Sequence, residues 1–591
     1  MLGRLLYLLV LASCLYGGLA LLGGWLWLWL RRLDPDVWLP PAPVLGLALV
    51  QIPAWWWSDL LDAGLSSLFP WLFAVTSVAT VASLIVLRAM VRERSARAAP
   101  WLTSAGSAAL ATALLGVATR RVVTRAPLSI ASLNNDYPFY AQVADLLSRD
   151  GFSATGPIPA LALGPLARSD VPGTYNLVGF SEWLLRHEAF QVAQPVFLVL
   201  CVLLAQLTAS FLRRQTDLPS VVIALLAVVP QSAYLFAYSL VNQFGSHLVG
   251  LLYSMTWIAV LLDVPTPRRS YQAASITVLA VSGAGLLTTY PHMLFLLTPI
   301  VVAVAVLRRG VDRAARWWVV AVAAFGGAGA AVLVAERAVV SVDRLFGLEA
   351  TTAGWPEPGV LPIAVLGFQR SWSNTVTAAT IIGSIVAVTA ALLAHRSLAG
   401  ERGWRLPVAG LLVLGLGSYA VIYAARGPEY VQWKWISYLQ PLLAVVVLAP
   451  VAAWALRRFP YRTTAGVVVA CLVALLVVNV GLAEDMHKAR EQGTQFVTTE
   501  LGELGSHPAL ADVDELNIDL FPFWESMWAS VAVAPRTVHF VQDTYYGPGT
   551  EPSAVWTLVA ATRVPPDASD DDVRPLNERY ALVRGSAVPQ S

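Results

Sequence analysis

The sequence predicts an all-α polytopic membrane protein with about fourteen transmembrane helices and a small α/β extracytoplasmic C-terminal domain. Three observations predict it. Of 591 residues, 57% are hydrophobic and 13% charged, about half the charge of a soluble domain. Apolar runs near the roughly 20 residues needed to cross a bilayer recur along the chain. The runs then stop near residue 482, and an acidic stretch that reads as alternating strands and helix follows.

The predicted spans are 4–30, 40–57, 65–87, 101–119, 190–212, 218–241, 246–263, 273–289, 292–307, 317–336, 374–394, 406–425, 436–456 and 463–482. The first is too long for a signal peptide and ends in Trp25, Trp27 and Trp29 before Arg31 and Arg32, so it reads as a retained helix. Tyr290-Pro291 is expected to break the chain between two spans. Cys14, Cys201 and Cys471 stand far apart in apolar runs, which argues against a disulfide framework or a cysteine metal site. A net charge of +2 gives no footprint for nucleic acid. No P-loop and no HExxH occurs, and the arginine-bearing loops are too short for an ATPase domain.

Orientation follows from arginine. Arg31/Arg32, Arg88 to Arg97, Arg213/Arg214, Arg268/Arg269, Arg308 to Arg316, Arg396 to Arg405 and Arg457 to Arg462 fall in alternate loops, so all land on one side, the expected cytoplasm. The other side receives the N-terminus, 58–64, 120–189, 242–245, 337–373, 426–435 and the tail. The domain reading is therefore 1–119 as N-terminal helices, 120–189 as an extracytoplasmic loop of catalytic type, 190–482 as the transmembrane body with outer loop 337–373, and 483–591 as the α/β domain. In the tail, 515–521, 536–542, 554–561 and 580–584 alternate as strands and 523–533 reads as a helix. Trp524 and Trp528, four residues apart, form a packing face first and a sugar platform second. Asp567 to Asp572 reads as a solvated loop without EF-hand spacing.

The chemistry-bearing stretch is 132–157. Asp136 follows a span on the outer side, flanked by Asn134, Asn135 and Tyr137. A helix begins near Pro138 with Phe139, Val143 and Leu146/Leu147 on one face, and Gly151 ends it as a C′ glycine. Taken alone, Asp136 reads as a helix N-cap. Lys434 is the second signal: lysine occurs only there and at Lys488, and Trp433, Trp435 and Tyr438 surround it at the start of a span. An ammonium binds phosphate as a compact charge, although a snorkelling lysine in an aromatic belt has the same appearance. Arg370 and Arg426 also stand at outer span ends. Asp145 and Asp150 read as solvated helix residues, and Asp170 and Glu182 as second-rank acids. His247 and His292 start spans at the outer face. No metal ligand is assigned, and a divalent metal stays open as a cofactor.

The pattern D-x-x-x-Y-x-x-x-A-x-x-L-x-x-x-G, here Asp136, Tyr140, Ala144, Leu147 and Gly151, in a long outer loop resembles the GT-C superfamily of integral membrane glycosyltransferases. The resemblance covers roughly 130–590, with Asn135 where many members carry a second acid and three additional spans ahead of the loop. It implies a glycosyltransferase that moves a monosaccharide, arabinofuranose or mannose, from a polyprenyl-phosphate donor to a cell-envelope glycan, lipid or protein at the outer face, with inversion. Asp136 would be the base, because an acceptor hydroxyl needs one within hydrogen-bond reach. Lys434, Arg370 and Arg426 would bind the donor phosphate, and Asn135, Tyr137, Tyr140, His292, Trp433 and Trp435 the substrates. The implied partners are donor, acceptor and membrane lipids, and the implied location is a bacterial plasma membrane. Two rivals remain: a transporter, flippase or polysaccharide polymerase, and a non-catalytic scaffold on a degenerate GT-C body.

Overall fold

The computed structural model describes residues 2–88, 104–113, 136–149, 151, 173–189, 191–232, 245–263, 268–291, 313–335, 447–491, 499–521, 523–534, 536–542 and 551–584. It also describes 293–294, 297–298, 301, 389, 437–438 and 549. The chain is mostly helical, with a small C-terminal sheet. Its helices are α1 (Leu2–Leu33), α2 (Ala42–Trp55), α3 (Leu65–Val86), α4 (104–113), α5 (Asp136–Arg149), α6 (Gly173–Leu185) and α7 (Ala193–Gln215). They continue as α8 (Ser220–Ser232), α9 (Gly245–Leu262), α10 (Arg269–Thr289), α11 (Arg313–Leu333), α12 (Tyr461–Glu491) and, in the tail, α13 (Phe523–Ala532).

Among the described residues, five helices are long and apolar enough to cross a membrane: Gly3–Leu33 within α1, then α3, α7, α9 and α10. These suggest a membrane protein. Helices also fall where spans are predicted at 40–57, 101–119, 218–241, 317–336 and 463–482, whereas 374–394 and 406–425 lie almost wholly outside the described residues. Two helices differ from expectation. The residues of α2 are nearly all buried, and one π-helical turn, Trp56–Leu60, extends it. It lies against α1 so closely that a Cβ on Gly46 would strike the Leu19 carbonyl, so this helix is a central post rather than a lipid-facing one. Helix α12 runs to Glu491, past the predicted end of its span. As expected, α10 stops at Thr289, immediately before Tyr290-Pro291.

Hydrogen bonds join the loops in two groups, and these are the groups the arginine pattern separates. At one end, Asp263 accepts from Arg214 Nε (2.8 Å), Tyr271 Oη (2.5 Å) and Trp38 N (3.2 Å). Arg268 meets Asp34 at 3.1 Å and Asp36 at 2.7 Å, and Arg457 meets Asp217 at 3.7 Å. At the other end, Tyr7 Oη is 2.7 Å from His187 Nε2, Trp56 Nε1 donates to the Leu333 carbonyl, and Gly64 abuts the Arg149 carbonyl. Each group draws on loops far apart in sequence. Alternate loops on a helical bundle must alternate ends, so these contacts agree with the spacing of the helices.

The tail sheet has order β2-β1-β3-β5-β4, built from β1 (Glu515–Asp519), β2 (Thr537–Phe540), β3 (Trp556–Ala560), β4 (Val573–Pro575) and β5 (Tyr580–Arg584). Strands β1, β2 and β3 are parallel, while β5 returns antiparallel between β3 and β4. Helix α13 makes the crossover from β1 to β2, and such a parallel pair needs a connection of this kind. Buried Asn517 pins β1 to β3: its Nδ2 donates to the Ala554 carbonyl at 2.9 Å and its Oδ1 accepts from Ser553 and Ala554 N–H.

Candidate functional site

Helix α5 begins at Asp136 and ends, as predicted, before a glycine in left-handed conformation: Gly151 has φ +81°. A Cβ there would lie 2.7 Å from the Asp62 carbonyl carbon, so the glycine serves both the turn and the close approach of the 61–64 loop. The apolar face of α5 is sealed. Phe139, Val143 and Leu147 are buried, as are Tyr137 and Tyr140.

Two contacts lock α5 to the tail. The Tyr137 ring stacks on Trp528 of α13, with centroids 6.0 Å apart and planes at 29°. Gln142 Nε2 donates to Ser530 Oγ and, at 3.3 Å, to the Met527 carbonyl. Tyr137 Oη also donates to the Ala189 carbonyl at 3.1 Å. The Tyr137 ring and its hydroxyl are thus both engaged inside the protein, and the structure gives this residue a docking role between loop and tail. Trp528 takes its packing role in the same contact. The side chain of Trp524 lies outside the described residues.

The other end of the first α5 turn leads to a polar and aromatic junction. Tyr140 packs on Tyr175 (centroids 5.5 Å) and lies 3.4 Å from Ser246 Oγ; Ser246 Oγ is 2.7 Å from Thr174 Oγ1. The opening residues of α6 (Gly173, Thr174) and α9 (Gly245, Ser246) therefore touch each other and the first turn and a half of α5. Beside Ser246, the His247 ring stacks on Tyr438 at 4.3 Å and 20°, and Tyr290 closes an edge against Tyr438 at 5.6 Å. Beneath, buried Gln51 fixes the arrangement: it donates to the Gly173 carbonyl, accepts from Tyr253 Oη, and its own carbonyl accepts from Asn176. The first N–H groups of a helix have no intrahelical partner and carry its positive end. Helix starts brought together in this way favour an anion, a phosphate above all.

Glu182 of α6 gains weight from the structure. Its Oε2 is sealed from solvent and accepts no hydrogen bond among the described residues. Burial first, then the neighbouring Asp145 and Glu188, push its carboxyl well above the usual carboxylate range, against a smaller opposing effect of Ala189 and Arg149. Burial and Glu182 together raise the Tyr137 phenol. Asp145 pairs with Arg149 one turn on, at 2.6 Å, as a surface residue. Sequence ranks Glu182 second because nothing local marks its burial, which comes from neighbours elsewhere in the chain.

Of the residues singled out by sequence, Asp136, Tyr137 and Tyr140 share α5. The side chain of Asp136 lies outside the described residues, as do Asn135, His292, Arg370, Arg426, Trp433, Lys434 and Trp435. Tyr438, four positions after Lys434, is described, and it stands in the junction that Tyr140 enters. Among the described residues no group of three or more His, Cys, Asp or Glu is placed to hold a metal. No protein-family model and no curated protein matches the chain.

Proposed function

We propose that this chain is a multi-pass membrane glycosyltransferase whose site lies at the extracytoplasmic end, where α5, α6 and α9 begin. The carrying observation is the chain of contacts Tyr140–Ser246, with His247 beside it stacked on Tyr438. It joins the helix headed by Asp136 to the segment that follows Lys434, and both segments carry the residue types the reaction needs. The fourteen-span count, with the tail and loop 120–189 outside, belongs to the same reading; the separation of loop contacts into two ends supports it.

In the proposed reaction an acceptor hydroxyl attacks the anomeric carbon of the donor sugar. The bond from that carbon to the phosphate oxygen breaks, polyprenyl phosphate leaves with the electron pair, and the hydroxyl proton passes to Asp136. The leaving phosphate is already a stable anion, so it needs positive charge rather than a proton. Lys434, Arg370 and Arg426 are the cations of this reading, and the converging helix starts add their dipoles. As the first residue of a helix, Asp136 occupies a position that favours the ionised carboxylate, the form a base must have. Docking of the tail on α5 would hold that helix still during transfer.

Among the described residues, the carboxylates of the helical part that burial withdraws from water are Asp34, Asp263 and Glu182, and all three lie at or within a turn of a helix end. Ion-coupled carriers place such groups within the bilayer, so their position supports an enzyme over a transporter. The test is transfer from radiolabelled polyprenyl-phosphate arabinose and mannose by purified protein, wild type beside Asp136→Asn. Transfer lost in a folded variant supports the base assignment. Equal transfer by both removes Asp136 from the chemistry, and no transfer from either donor to envelope acceptors counts against the enzyme reading.

A further inference from the structure

A crevice between α1, α4 and α7 starts at the arginine-rich end, runs toward the other, and has the lining of an amphiphile. Its upper part is a pocket of about 290 Å³ walled by Leu9, Ala12, Leu198, Val199 and Val202, with Tyr16 Oη donating to Gln206 at its lower edge. Its lower part is a pocket of about 280 Å³ lined by Arg31, Trp38, Ala209, Ser210, Arg213 and Arg214.

The two pockets lie along one face of α7, above and below the Tyr16–Gln206 hydrogen bond. Helix α7 lines the upper with 198, 202 and 206 and the lower with 209, 210 and 213, a continuous stripe at helical spacing. Helix α1 contributes 9, 12, 13 and 16 above and 31 below, and α4 contributes 108, 109 and 112 above and 104 below. All three helices therefore line both pockets, α4 in the reverse direction. From 198 to 213 along α7 the rise is roughly 22 Å at 1.5 Å per residue, more than half of the roughly 30 Å hydrocarbon core.

The cations differ in their engagement. Arg214 is committed to Asp263. Arg213 donates to Ser220 Oγ at 3.0 Å and has no acidic partner among the described residues. An uncompensated guanidinium at the foot of an apolar channel suits a phosphodiester, which a guanidinium binds through two oxygens.

We infer that this crevice binds one anionic phospholipid, with its phosphate at Arg213 and an acyl chain running up past Val202. The arginine distribution puts this end in the cytoplasmic leaflet, so the lipid is distinct from the sugar donor proposed at the opposite end. The binding does not depend on the enzymatic reading.

The experiment is native mass spectrometry of the full chain in detergent, titrated with phosphatidylglycerol, phosphatidylcholine or inorganic phosphate. Three proteins are compared: wild type, Arg213→Gln and Val202→Trp, which blocks the channel and leaves every charge in place. Each variant is first checked for an unaltered melting transition. One phosphatidylglycerol should be retained by wild type, and affinity should fall about ten-fold or more in each variant, as expected for loss of one charge-assisted contact or of the chain's burial. Equal retention of phosphatidylcholine, or undiminished binding in both variants, overturns the inference. Saturation by inorganic phosphate alone would show a plain anion site and overturn the lipid assignment.

Discussion

Replacing Trp528 by alanine should detach the tail from α5. Trp528 is 7% exposed and stacks on Tyr137. Truncating a buried tryptophan costs about 3–5 kcal/mol, of which the ring pair itself accounts for about 0.5–1.5 kcal/mol. Gln142 would keep its bonds to Ser530 and Met527, each worth about 1 kcal/mol, but on a helix no longer held at its first turn. A net weakening of about 3–4 kcal/mol corresponds to a two- to three-decade rise in the population of the undocked state at 1.4 kcal/mol per decade. Hydrogen exchange of peptides covering Asp136–Arg149 reads that population directly, and Trp528→Phe, which keeps a ring, should retain most of the protection. A Tyr137→Leu/Trp528→Ala double-mutant cycle should return about 0.5–1.5 kcal/mol of coupling. If exchange of α5 is unchanged in Trp528→Ala, the tail does not hold this helix and the docking argument fails.

Asp263→Ala leaves Tyr271 Oη and the Trp38 N–H without their acceptor and half-exposed Arg214 without its partner, a loss of about 3–4 kcal/mol once solvent around Arg214 is allowed for; thermal unfolding in detergent measures it, and a loss under about 1 kcal/mol would contradict the network. Glu182 is raised in the folded state, so its protonated form is the one the fold favours, and stability should decline as pH rises from the ordinary carboxylate range through its elevated value. Glu182→Gln should melt higher than wild type at pH 8 and show less advantage at pH 4; a constant difference at both would be inconsistent with a raised carboxyl. Gly151→Ala forces a side chain into positive φ and onto the Asp62 backbone, at a cost of about 1–3 kcal/mol, visible as faster exchange at the C-terminal end of α5.

The tail was the most legible part of the sequence. Its strands are short runs rich in β-branched and aromatic residues, alternating in β1 and β2 and mostly apolar in β3 and β5, and all four fall within the predicted stretches. Strand β4 escaped because Val573–Pro575 is three residues long and ends in proline, the habit of an edge strand. Gly151 announced the end of α5, and Tyr290-Pro291 the end of α10. Hydropathy located α2 but could not say that its neighbours surround it, since a helix apolar on all sides reads alike in lipid and in protein. For the candidate site, sequence marks Asp136 and the aromatic setting of Lys434, whose side chains lie outside the described residues. The meeting of Tyr140, Ser246, His247 and Tyr438 depends on the packing of helices that no local pattern encodes, and so does the sealing of Glu182.

The central claim is that the helix begun by Asp136 and the segment carrying Lys434 serve one site. Paired cysteines at those two positions, in a chain with Cys14, Cys201 and Cys471 replaced, test it most directly through a short bis-maleimide added to purified protein. The account predicts efficient intramolecular cross-linking that polyprenyl phosphate suppresses. Cysteines that each react singly but never join would place the two residues in separate sites and contradict it.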